Sequence, residues 1–238
     1  MFVRLNWLGV GLCAVVSLIG ATSYANQVTI NFGDCTQISA STPALCPNQD
    51  AGTSQITYSH GGLSVTATGF LNPVPPSTTN NGREDLYVKQ GGAGETGLGT
   101  VIDVADHEIT DMDFVNLDFS NLWAHGISTA QITIESLQTG EDFKICQGNT
   151  LGSMGVVASC VTGAQIGTTL DNTVTLTWGA SNNMFGIQGY TTSGVSGPDV
   201  LVQGITFTSP TPEPASVLLF GTGLASFIVK GRRRKAKK

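Results

Sequence analysis

Basic residues are nearly absent from the central part of this sequence, residues 26–211. Arg83, Lys89 and Lys144 are its only cations, against 16 carboxylates, which gives a formal charge of −13, whereas the whole chain has −6. Nucleic-acid binding depends on neutralising phosphates with lysine and arginine. The composition therefore excludes nucleic acid as a partner of this region and favours a soluble domain that attracts cations.

Catalytic motifs are also lacking. The sequence has no Gly-x-Ser-x-Gly elbow, no His-Glu-x-x-His pair and no phosphate-binding loop, because the glycine run at 91–99 has no Lys-Ser/Thr ending. That run is expected to be a surface loop rather than a nucleotide site. We predict that the protein is not an enzyme. The paired carboxylates of a glycan-active enzyme depend on three-dimensional separation, so that class stays a third alternative.

Helical periodicity is missing between the two ends of the chain. Apolar and polar residues instead alternate in short runs, including 55–59, 63–70, 114–120 and 130–136. The glycines at 61–62 predict a hairpin between the first two runs, and 130–136 is expected to form a second hairpin with 142–146. The fold class predicted is all-β, a single antiparallel β-sandwich or jelly roll over residues 26–208.

Four cysteines lie in this region, Cys35, Cys46, Cys146 and Cys160. No Cys-x-x-Cys spacing supports zinc, and an even number predicts two disulfides in an oxidising compartment. Three pairings are possible. We prefer Cys35 with Cys46 and Cys146 with Cys160, because each pair encloses a short loop-like segment.

The N-terminus has the pattern of a signal peptide. Arg4 is followed by the apolar run 7–19 and by small residues before Ala25, after which cleavage is predicted, so residues 1–25 are assigned as the signal peptide. Cys13 lies in a poor lipoprotein motif and is expected to be discarded with this segment.

The C-terminus combines a Pro-Glu-Pro motif, an apolar stretch and a basic end. Pro212, Glu213 and Pro214 precede 15 uncharged residues, 215–229, and then a cluster containing Arg232, Arg233 and Arg234. The apolar stretch is a marginal membrane span; a buried core helix is the alternative. Because basic residues flanking a span stay in the cytoplasm, residues before 212 are expected outside.

This tail resembles the PEP-CTERM sorting signal of secreted proteins from Gram-negative bacteria. The resemblance covers residues 212–238, and the domain assignment takes 209–238 as linker and sorting signal. It implies that an exosortase-type membrane transpeptidase recognises the tail during a transient stage at the inner membrane and removes or exchanges it. The mature domain would then reach the cell surface or the extracellular space, where such systems are associated with exopolysaccharide.

Carboxylates are densest between residues 103 and 113. Asp103, Asp106, Glu108, Asp111 and Asp113 are weak candidates for a calcium site, since calcium takes six to eight oxygen ligands. Their spacing is not that of an EF-hand, and a solvated acidic loop is the simpler interpretation. Calcium is the one cofactor that the sequence suggests, and none is firmly indicated.

Exposed aromatic rings are the usual glycan contacts of such domains. Trp123, beyond the end of a predicted strand, is the surface candidate, although core packing is the commoner fate of a tryptophan. Trp178 alternates with Val174 and Leu176 and is expected in the core.

The sequence thus predicts an exported structural or adhesive protein of the cell surface or matrix. A carbohydrate-binding module, with or without calcium, is the principal alternative.

Overall fold

A computed structural model of the chain describes residues 26–39, 49–72, 82–90, 95–102, 105–138, 140–155, 159–164, 172–190 and 198–209. The compact unit within these ranges spans Gln27–Thr208. The predicted signal peptide and sorting signal lie outside the described residues, except for Ser209.

Seven strands form the first sheet. Its pairing path is Asn172–Thr177 (β12), Thr129–Glu135 (β9), Leu201–Ser209 (β14), Thr96–Thr100 (β7), Leu86–Gln90 (β6) and Gln49–Asp50 (β2), with Asn26–Asn31 (β1) also paired to β14. Strand numbers follow the order along the chain. Neighbours along the path are antiparallel.

The second sheet also has seven strands. Its path is Cys160–Ala164 (β11), Asp142–Gly148 (β10), Met184–Tyr190 (β13), Asp113–Asp118 (β8), Leu63–Leu71 (β4) and Gln55–His60 (β3), with Arg83–Glu84 (β5) paired to β4. These pairs are antiparallel too. The predicted antiparallel all-β sandwich is confirmed.

One hydrophobic cluster joins the two sheets. Ile132 and Ile205 of the first sheet and Val115 and Ile187 of the second belong to it, because alternate side chains of each strand point inward. Trp178 belongs to this core as predicted: its ring centroid lies 4.8 Å from that of Phe119. Packing of this kind holds the outward-facing residues in a fixed array.

The predicted hairpin of β3 and β4 is confirmed. His60 pairs with Leu63, and the two turn residues between them, Gly61 and Gly62, have φ values of 61° and 82°. Two consecutive positive φ angles characterise the type I′ turn, whose twist matches that of the flanking strands.

The second predicted hairpin is wrong. β9 pairs with β12 and β14, whereas β10 pairs with β11 and β13 in the other sheet. Residues 136–141 therefore connect the two sheets. The alternation of apolar and polar residues identified both strands correctly, but it does not indicate which strands pair with each other.

The glycine run was predicted to be a loop, yet its second half is strand β7. A Cβ at Gly99 would collide with the carbonyl oxygen of His107, and one at Gly97 would lie 2.8 Å from the carbonyl oxygen of Val202. The glycines are therefore needed for close backbone approach within the sandwich. The strand predicted at 114–120 ends at Asp118 and is followed by a short helix, Ser120–Ala124 (α1).

Gly99→Ala should reduce the free energy of unfolding by at least about 1–3 kcal/mol, the usual cost of forcing an extra methyl group into a packed site. Urea unfolding provides the measurement. Gly61→Asn is the control, because asparagine suits the first position of this turn. Equal stability of the Gly99→Ala and wild-type proteins would contradict the account of β7.

Candidate functional site

The acidic segment does not form a single cluster. Asp103 lies outside the described residues, Asp106 and Asp111 are exposed, and Glu108 and Asp113 are buried. Asp113 accepts hydrogen bonds from the Thr110 amide at 2.6 Å and the Thr110 hydroxyl at 2.7 Å. Thr100 also donates its hydroxyl hydrogen to Asp113. This carboxylate is therefore committed to internal hydrogen bonds.

Glu108 belongs to a separate group, which we call the buried ion cluster after its buried members Glu108 and Ser136; its other two members, Lys89 and Glu95, are half-buried. The Lys89 ammonium lies 2.7 Å from a carboxylate oxygen of Glu95 and 2.7 Å from one of Glu108. The Ser136 hydroxyl lies 3.0 Å from Glu95 and 2.8 Å from Glu108. One cation thus compensates two carboxylates that lie before and after β7 in the sequence.

Burial and pairing oppose each other in this cluster. Burial raises the pKa of Glu108 above its usual range, and the hydrogen bonds from Lys89 and Ser136 offset only part of the rise. Burial also acts to raise the pKa of Glu95, but the hydrogen bond and charge of Lys89 bring it below the usual range. The pKa of Lys89 is raised, because Glu108 and Glu95 outweigh the opposing effect of its burial. Of the two carboxylates in this cluster, Glu108 is therefore the one whose ionisation is disfavoured.

The backbone beside Glu108 is constrained. His107 has φ of 59°, in the left-handed region that non-glycine residues seldom occupy, and Ser136 has φ of 67°. The His107 ring stacks on Tyr87, with centroids 4.0 Å apart and an interplanar angle of 15°. These contacts fix the segment that carries Glu108 against β6.

Within the described ranges, no group of three or more histidine, cysteine, aspartate or glutamate side chains is arranged to hold a metal ion. Asp106, Glu108, Asp111 and Asp113 are divided between the surface and two different internal networks. Calcium binding by the acidic segment, including Asp103, stays a prediction.

Glu108 should make stability depend on pH. Its raised pKa means that the folded protein holds this proton more tightly than the unfolded chain, so stability falls as the pH rises from about 4.5 through the raised pKa. Glu108→Gln should lose less stability over that window, as measured by melting curves at successive pH values. The matched control is Asp106→Asn, an exposed carboxylate on the same segment; an identical pH dependence in wild type and Glu108→Gln would contradict the prediction.

The structure places Trp123 on the surface. It lies in α1 with 40% of its area exposed. The predicted glycan contact is therefore accessible, and the chain continues through Gly126 to Ser128 into β9.

A surface hollow that sequence reasoning missed begins at this connection. Its volume is about 460 Å³, and its wall includes Gly126–Ser128 together with side chains of β9, β12, β14 and β1. The lining is largely hydroxyl and amide groups, which supply both hydrogen-bond donors and acceptors.

The hollow lies on what we call the threonine face, the outward side of β12, β9, β14 and β1. Its middle row runs across the four strands: Thr175 is opposite Gln131, Gln131 is opposite Thr206, and the Thr206 hydroxyl lies 2.9 Å from that of Thr29. The row beside it includes the opposed pair Thr177 and Thr129. Strand alternation directs these side chains outward, and all are exposed except Thr206, which is half-buried.

The disulfide prediction is confirmed for one pair. Cys146 and Cys160 are bonded and occupy opposite positions of β10 and β11. Cys35 is also disulfide-bonded. Its predicted partner, Cys46, lies outside the described residues, so that pairing stays a prediction.

Comparison with known proteins bears on the C-terminal segment. Residues 210–235 match the family described as the PEP-CTERM protein-sorting motif. No curated protein and no solved structure matches the chain. In the part of the chain that the structure describes, no helix is long and apolar enough to cross a membrane; the apolar stretch 215–229 is not in that part.

The matched residues contain Pro212, Glu213, Pro214, Arg232, Arg233 and Arg234. A PEP-CTERM protein-sorting motif therefore lies at residues 210–235, downstream of the β-sandwich, as is consistent with a substrate of an exosortase-type membrane enzyme.

Proposed function

We propose that this protein is a non-catalytic structural or adhesive component of the cell surface or extracellular matrix. The sorting motif at 210–235 is the observation that carries the proposal, since it supports export and processing at the membrane. The predicted signal peptide, residues 1–25, accords with the same route.

The β-sandwich suits such a role. A disulfide joins β10 to β11, and Glu108 and Asp113 are held by internal partners. The disulfide raises the free energy of unfolding, because it restricts the unfolded chain. These features support a durable scaffold at the surface.

Antibody labelling of intact cells tests the proposal. Replacing Pro212, Glu213 and Pro214 with alanine should reduce surface labelling and leave the protein in the membrane fraction. Ser209→Ala, immediately before the matched residues 210–235, is the control and should label as the wild type does. Cells lacking the protein should also attach less firmly to a surface or to one another; unchanged attachment and labelling would overturn the proposal.

A carbohydrate-binding module is the second candidate, with exopolysaccharide as its partner. Two separate features favour it: the exposed ring of Trp123, and the polar hollow of about 460 Å³, whose lining does not include Trp123. Aromatic rings and hydroxyl or amide groups are both common in ligand sites. Retention of the protein on polysaccharide columns tests this function, and Trp123→Ala should weaken retention.

The carbohydrate-binding module would bind its glycan with the help of a calcium ion. Asp106 and Asp111 are exposed and close in sequence to Asp103, and carboxylates are the ligands calcium prefers. A calcium site should raise the melting temperature in millimolar calcium and lose the increase in EDTA. A melting curve unaffected by both would remove calcium from the account.

A further inference from the structure

The threonine face carries no exposed charge. Glu135 is the one charged residue in its four strands, and it is buried, with a carboxylate oxygen 3.0 Å from the Thr96 amide nitrogen. The outward positions hold threonine and glutamine. This composition contrasts with residues 26–211 as a whole, whose formal charge is −13.

The difference between the uncharged threonine face and the acidic domain around it favours uncharged polymers over anionic ones as ligands. A domain of strong negative charge repels anionic chains over the Debye length of about 8 Å at physiological salt, and the threonine face has no cation to counter the repulsion. An uncharged polymer meets no such barrier. Threonine hydroxyls and glutamine amides each donate and accept hydrogen bonds, as the hydroxyl groups of sugars do.

We propose that the threonine face is a binding site for an uncharged polysaccharide, with the hollow beside Gly126–Ser128 holding part of the chain. The proposal deepens the second candidate function and rests on it, since it names where the glycan lies and which glycans are excluded. Outward side chains repeat at about 6.8 Å along each strand and about 4.8 Å between strands. The rows of Thr175, Gln131 and Thr206 therefore offer repeated contacts to an extended polymer.

The core fixes this array before any ligand arrives. Ile132 and Ile205, the sequence neighbours of Gln131 and Thr206, are fully buried, and Thr29 and Thr206 hydrogen-bond to each other. The backbone of these strands is already ordered, so binding costs little conformational entropy. Hydrogen bonds that are individually weak can therefore add up to a useful affinity.

Affinity electrophoresis of the full-length chain in mild detergent tests the inference. The probes are hydroxyethyl cellulose, galactomannan and dextran, which are uncharged, and carboxymethyl cellulose, which has the cellulose backbone with added carboxylates. At least one uncharged polymer should retard the protein, and carboxymethyl cellulose should not. Thr175→Ala with Gln131→Ala should weaken retardation about tenfold, which two lost hydrogen bonds would produce.

Thr162→Ala is the matched control, because Thr162 is exposed on β11 of the other sheet. It should be retarded like the wild type, and equal melting temperatures will show that all variants are folded. Retardation that is unchanged in the double variant but lost in Trp123→Ala would overturn the proposal for the threonine face and retain the carbohydrate-binding module. Equal retardation by carboxymethyl cellulose, or no retardation by any uncharged polymer, would also overturn it, and the second outcome would remove the module as well.

Discussion

Replacing Lys89 with methionine should lower the free energy of unfolding by about 3–5 kcal/mol, the usual cost of removing one partner from a buried ion pair. Lys89 is the cation of the buried ion cluster, 2.7 Å from both Glu95 and Glu108. The Glu108 side chain is only 3% exposed, so its charge would be left in the interior with Ser136 as its remaining partner. Urea unfolding at neutral pH measures the loss.

A second substitution separates charge from packing. Lys89→Met combined with Glu108→Gln removes the cation and the more deeply buried carboxylate together, so much of the lost stability should return. The single variant should also regain stability as the pH falls through the raised pKa of Glu108 towards about 4.5, since protonation of Glu108 relieves the uncompensated charge. A single variant that loses less than about 1 kcal/mol would show that the cluster behaves like a surface ion pair.

Removing the disulfide between Cys146 and Cys160 should cost about 3 kcal/mol, the value expected for a loop of this length. The two residues are 14 apart in sequence and join β11, at the end of its sheet's pairing path, to β10. Cys146→Ala with Cys160→Ala avoids a free thiol and permits comparison by thermal and urea unfolding.

Val161→Ala controls for side-chain loss on the same strand, because Val161 is 43% exposed. It should change stability little. Reducing agent should destabilise the double variant less than the wild type, leaving only the effect of the bond at Cys35. Equal stability of the double variant and the wild type would mean that β11 stays paired to β10 without the cross-link.

The parts of the fold that sequence predicted are those determined locally. Alternation located β3 and β4, and Gly61-Gly62 determined their turn, because a two-residue connection leaves a strand little choice of partner. The alternation of Leu176 and Trp178 likewise placed both in the core.

Features that depend on distant contacts were not predictable in this way. Alternation fitted β9 and β10 as well as it fitted β3 and β4, yet the connection between them crosses from one sheet to the other. A glycine-rich sequence such as the one around Gly97 and Gly99 predicts a loop. The backbone segments that require these glycines, near Val202 and His107, are elsewhere in the sequence, so the local pattern does not reveal the strand.

The candidate sites, like the strand pairing, depend on contacts between residues that are distant in sequence. Glu108 was identified as part of a local acidic run, whereas its partners Lys89 and Ser136 come from other strands and connections. Thr173, Thr175 and Thr177 form a visible alternating pattern on β12, but only sheet pairing brings Gln131 and Thr206 into the same row.

The most direct test of export and sorting is to recover the protein from outside the cells and to measure its intact mass. We expect a chain that begins at Asn26 and has lost the basic residues 230–238, with the disulfide between Cys146 and Cys160 intact. Full-length protein with its first 25 residues, found only in the cytoplasm and with both cysteines reduced, would contradict this expectation.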